Sequence, residues 1–60
     1  MRTHETTAVK IAVKRSIRAG TIEAGYKSLY EWQMHHQSAD VASVLKCFKK
    51  WARRYQNYAG

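Results

Sequence analysis

The sequence predicts an all-α protein, a three-helix bundle over about residues 4–19, 21–36 and 39–57. Three observations lead there. Apolar residues recur at helical spacing, β-branched alternation is absent, and proline is missing throughout while alanine is frequent.

The first helix is read from about His4 to Ala19. Thr3 is placed to cap it, Glu5 suits the positive end of the helix dipole, and Gly20 can take the left-handed conformation that ends a helix. Val9, Ala12, Val13, Ser16 and Ile17 form its inward stripe, thin enough to let a bulkier helix approach closely. On the other side Lys10, Lys14 and Arg18 stand in an i, i+4, i+8 row with Arg15 beside them. Like charges at that spacing destabilise an isolated helix by a few tenths of a kcal/mol per pair, and no acid in the body of this helix offsets them. Such a row is either an ordinary solvated face or one kept for an anionic partner. Ile11 lies among these cations, away from the stripe.

Gly20 and Thr21 make a two-residue joint, with Thr21 a possible cap for the second helix, Thr21 to about His36. A single bent helix is the alternative, disfavoured because glycine inside a helix costs about 1 kcal/mol relative to alanine. Ile22, Tyr26, Leu29 and Trp32 give this helix its apolar side, and Gly25 among them permits close backbone contact. Glu23, Lys27 and Glu31 are spaced for opposite-charge i, i+4 pairs.

The third helix is the strongest signal, from Ser38 to Tyr58, with Ser38 expected as its cap and Asp40 in its first turn. Val41, Val44, Leu45, Phe48, Trp51, Ala52, Tyr55 and Tyr58 fall in a band about 140° wide, enough to pack on two neighbours. Lys46, Lys49, Lys50, Arg53 and Arg54 fall opposite. Cap, band and charge agree on one long amphipathic helix.

Length and charge bound the function. Sixty residues make one domain, 1–60. A chain of that size buries only roughly 60% of the surface its unfolded form exposes, so its core is marginal on its own. The single cysteine, Cys47, rules out an internal disulfide and reads as a small buried or boundary residue in a reducing compartment. A homodimer is therefore expected. No apolar run approaches a membrane span and no hydrophobic leader is recognisable, so a soluble cytoplasmic protein is expected. Eleven lysines and arginines against four acids give a formal charge of +7, which attracts nucleic acid first, acidic protein surfaces second and anionic lipid third.

Chemistry finds little to work with. Glu5, Glu23, Glu31 and Asp40 are scattered, and Cys47 with His35 or His36 lacks a third orienting group, so an enzyme with a small-molecule substrate is not expected. Neither is a cofactor. His35 and His36, adjacent on a helix, point about 100° apart and do not chelate as an i, i+4 pair would, and with His4 and Cys47 they make no metal motif. Histidines at a helix end still add positive charge in mild acid.

Binding remains, in two forms. Lys46, Lys49, Lys50, Arg53 and Arg54, with Lys10, Lys14, Arg15 and Arg18 as a second set, suit contacts to phosphates, which give affinity but little sequence information. Gln56, Asn57 and Arg53 are candidates for reading bases, yet they sit at the end of the helix, whereas helix-turn-helix proteins read with the first turns. Alternatively Trp32, Phe48, Trp51, Tyr55 and Tyr58 form an interface to a host or cognate protein, since aromatics interleaved with arginine are what hot spots are made of. The same aromatics can instead fill the protein's own core. A membrane surface is a weaker reading, because an interfacial helix needs no further helices to present it.

In size, charge and helical simplicity the chain resembles short accessory proteins encoded in early regions of temperate bacteriophages. The stretch FKKWARRY, residues 48–55, is similar to the aromatic-basic helix of small phage cell-division inhibitors. That resemblance implies a regulatory binder of host functions and transfers no residue role.

Overall fold

The structure, a computed structural model, describes residues 3–36 and 40–59, with side chains to Gln56. Three helices follow in order, α1 (Thr3–Ala19), α2 (Ile22–His35) and α3 (Val41–Ala59). The protein is all-α, as the sequence predicts. No helix among the described residues is long and apolar enough to cross a membrane.

The joint between α1 and α2 forms where glycine allows it. Gly20 has φ +76°, and its amide donates to Ser16 O at 2.8 Å, closing the end of α1 in the left-handed conformation a side chain would disfavour. Thr21 follows in extended backbone at the N-cap position, but its side chain makes no capping hydrogen bond. The break is thus set by Gly20 more than by the threonine.

The start of α3 differs from expectation. The expected cap, Ser38, lies outside the described residues, and the helix begins at Val41 with Asp40 as its cap. Asp40 Oδ1 accepts from the Ser43 amide at 3.2 Å, and Oδ2 accepts from the Ser43 hydroxyl at 2.7 Å. Those donors hold the Asp40 carboxyl below its ordinary pKa. The sign follows: the cap contributes fully above the ordinary carboxylate range, and its contribution is lost as pH falls through the lowered value.

Asp40 is itself held from another helix. Its amide donates to Glu5 Oε2 on α1 at 2.8 Å, so the acid that a local capping box would place in the same helix comes here from 35 residues away. Glu5 is only 4% exposed, a burial that its place in the first turn of α1 does not suggest. With Glu5 bonded to Asp40 at the helix starts, and Ser16 and Phe48 both against Gly25 further along, α3 runs parallel to α1, and the short α1–α2 joint makes α2 antiparallel to both. Glu5→Ala removes the acceptor of a partly buried amide and is expected to cost about 1–3 kcal/mol, whereas Glu5→Gln keeps an acceptor and costs much less. Thermal melts of the two variants compare them directly, and equal losses would mean the hydrogen bond is not what Glu5 supplies.

One core joins the three helices. Ala8, Val9 and Ala12 from α1, Leu29 from α2, and Val44, Phe48 and Ala52 from α3 are buried together, with Val13, Ile22, Tyr26, Trp32, Leu45 and Trp51 packed around them. Phe48 is the largest fully buried side chain, and the Tyr26 ring meets it edge-on with centroids 5.0 Å apart. Gly25 faces the same ring: a Cβ there would overlap both Phe48 and Ser16 Oγ, so α2 comes this close only because position 25 has no side chain. Ser16 Oγ is buried at this contact with no hydrogen-bond partner among the described residues.

Two sequence assignments change. Ile17, read as part of the inward stripe, is 54% exposed, while Glu5 and Ala8 are buried in its place. At about 100° per residue Ile17 lies some 140° round α1 from Ala12, beyond the arc its neighbours cover. Cys47, read as buried or boundary, is exposed. It sits about 100° from Phe48 on α3, outside the part of the band that meets the core.

Candidate nucleic-acid interface

The cationic side of α3 follows from its own periodicity. With Val44, Phe48 and Ala52 turned into the core, Lys46, Lys50 and Arg53 are carried to the far side, flanked by Lys49 and Arg54. All five are exposed. Among the described residues none of them has a carboxylate within ion-pair distance. Over about 12 Å of helix this presents a dense row of free donors, each a charge or fork suited to phosphate oxygen.

The second set divides. Lys10, Lys14 and Arg18 are exposed and likewise have no acidic partner among the described residues. Arg15 Nη1 instead meets Glu31 Oε2 of α2 at 3.5 Å, with both side chains more than half exposed. An exposed pair of that length is worth well under 1 kcal/mol. It does mean that Glu31 answers α1, not Lys27, and that the i, i+4 pairs expected within α2 do not form among the described residues. Beside it an open crevice between α1 and α2 is lined by Arg15, Arg18, Lys27 and Glu31 with Ala19, Ala24 and Ser28.

The two rows do not share a surface. On α1 the buried residues are Glu5, Ala8, Val9, Ala12 and Ser16. Lys10, Lys14 and Arg18 centre about 180° from that arc, as Lys46, Lys50 and Arg53 do from the buried arc of α3. Both arcs enter one core, so each row points away from it on its own side of the bundle.

The aromatic residues separate in the same way. Phe48, expected at a partner interface, is 0% exposed and occupies the centre of the core, so it cannot be presented to anything. Trp51 and Tyr55 are half-buried and stacked on each other at 5.1 Å. The side chain of Tyr58 lies outside the described residues, as does that of Asn57. Tyr30, one of seven aromatics that are more than so small a core readily encloses, is exposed at 63%, and Met34 at 73%.

Trp32 is half-buried in a group the sequence does not reveal. His36 stacks on it at 4.9 Å, His4 lies 6.3 Å away, and His36 Nδ1 is 3.0 Å from Trp32 O. His4 and His36 come from opposite ends of a helix pair, and only the antiparallel packing of α1 and α2 brings them together. Both are exposed and lie against Trp32 at one end of the bundle, and among the described residues no three metal-ligating groups converge. His35 is the last residue of α2 and is exposed.

No protein-family model, no curated protein and no solved structure matches the chain.

Proposed function

We propose that this protein is a small non-enzymatic regulatory module that binds nucleic acid with low sequence specificity through the exposed face of α3. The observation that carries the reading is the set Lys46, Lys49, Lys50, Arg53 and Arg54, all exposed and, among the described residues, without an acidic partner. A surface that leaves so many cations unanswered gains most from a partner that supplies a line of anions and releases condensed counterions on binding. The aromatic side of the same helix supports low specificity, because Phe48 is spent on the core and is no stacking platform for bases.

Titration of generic duplex DNA at several salt concentrations tests this. If all five side chains engage phosphates, the log–log salt slope is about −4.5, and affinity falls about 500-fold between 50 and 200 mM salt. Replacing Lys49, Lys50 and Arg53 by glutamine should leave helicity intact, reduce the slope by about 2.7 and cut that fall to about 12-fold. No binding at low salt would sink the nucleic-acid reading.

Homodimerisation belongs to the same proposal. Tyr30 and Met34, an i, i+4 pair on α2, are large apolar residues left exposed on a chain whose core is small, which supports self-association through α2. Sedimentation showing a well-folded monomer at micromolar concentration would refute it.

One observation favours a second reading, an acidic protein partner. The stacked Trp51 and Tyr55 retain exposed area beside Arg54, the mixture found at interface hot spots. Under that reading the salt slope on DNA is shallow. A regulator of host functions, of the kind found among phage accessory proteins, fits either partner.

A further inference from the structure

The α1 row and the α3 row point to different sides of the bundle, and that divergence has a use. We infer that one copy of this chain holds two nucleic-acid duplexes at once, the α3 row on one and Lys10, Lys14 and Arg18 on the other, so that it bridges them. This rests on the nucleic-acid reading above and adds to it a second, independent contact surface.

Distance decides whether two duplexes can be accommodated. The Cα envelope measures 36 × 18 × 15 Å. Lysine and arginine arms add roughly 6 Å beyond it on each side, which puts the charged heads of the two rows on the order of 25 Å apart. The Debye length at physiological salt is about 8 Å, so a duplex on one row is largely screened from charges on the other. Binding on one side therefore neither neutralises the second row nor strongly repels a second duplex.

Each row is also long enough to act. Lys10 to Arg18 and Lys46 to Arg54 each cover nine residues, eight steps or about 12 Å along a helix, enough for a few phosphates of one strand. Within α1 the row carries a cost, since Lys10, Lys14 and Arg18 repel one another and have no acid among the described residues to relieve them. A second duplex relieves it. Arg15 is tied to Glu31 at the edge of this face and is not needed for the contact.

The experiment captures one duplex with another. A biotinylated duplex is fixed to beads, and a fluorescent duplex sharing no complementary ends is added with increasing protein, kept below the concentration at which sedimentation shows self-association. The unmodified protein should retain the fluorescent duplex. A Lys10→Gln, Lys14→Gln, Arg18→Gln variant should keep its affinity for a single duplex within about threefold while losing capture at least about tenfold. These side chains are exposed, so circular dichroism should show unchanged helicity. Capture undiminished in the variant would overturn the proposal, because bridging would then come from associated copies that each hold a duplex on the α3 face. Binding of single duplexes with no capture by the unmodified protein would overturn it too, while leaving the nucleic-acid reading intact. Absence of any binding at low salt is the distinct result that removes the reading beneath it.

Discussion

Phe48→Ala is expected to leave the protein largely unfolded at room temperature. The ring is 0% exposed, lies against Tyr26 and Trp51 with centroids at 5.0 and 5.5 Å, and is the α3 side chain buried in one core with residues of α1 and α2. Truncating a buried phenylalanine to alanine costs about 3–5 kcal/mol, from lost burial and from the cavity left behind. A domain of sixty residues has about 3–9 kcal/mol of stability to lose. The two magnitudes overlap, so far-UV circular dichroism should show most of the helix signal gone. A cooperative melt within a few degrees of the unmodified protein would mean that Phe48 is not the centre of the core.

Gly25→Ala should be destabilising even though alanine is the better helix former. In an exposed helix interior the change would gain about 1 kcal/mol. Here the added methyl overlaps the Phe48 ring and Ser16 Oγ. The hydroxyl can rotate away, but the ring is enclosed and must move with α3, and overpacking of this kind costs about 1–3 kcal/mol or more. Since the clash is with one ring, trimming the ring should relieve it. The double variant Gly25→Ala, Phe48→Leu should therefore be more stable than the sum of the two single losses implies, with a coupling of about 0.5–3 kcal/mol. Strict additivity would show that position 25 and the ring do not touch.

These two residues mark what could be read from sequence and what could not. The periodicity of α3 placed Val44, Phe48 and Ala52 inward and the five cations outward, and Gly20 marked the end of α1, because both signals lie within one helical turn of their cause. Gly25 was legible as a point of close approach, though not which side chain would approach it. Glu5 gives no local sign of its bond: an acid in a first turn is already accounted for by the helix dipole, so nothing nearby in sequence shows that it reaches Asp40. The grouping of His4, Trp32 and His36 depends on antiparallel packing and leaves no pattern in the chain. Ile17 failed because a stripe defined by spacing has no edge until the neighbouring helix supplies one. Of the candidate interface, the identity of the cations was readable, while their division between two faces required the orientation of α1 and α3 about a common core.

The bond from Asp40 to Glu5 spans 35 residues, which makes the beginning of α3 dependent on a helix formed at the other end of the chain. Closing a loop of that length costs about 3 kcal/mol of chain entropy, more than one capping hydrogen bond returns. The first turn of α3 cannot be completed by itself and must wait until the core has already drawn α1 alongside. Its amide at Asp40 should then exchange with solvent only when the whole bundle opens, so a single proton near the middle of the sequence reports on the cooperativity of all three helices.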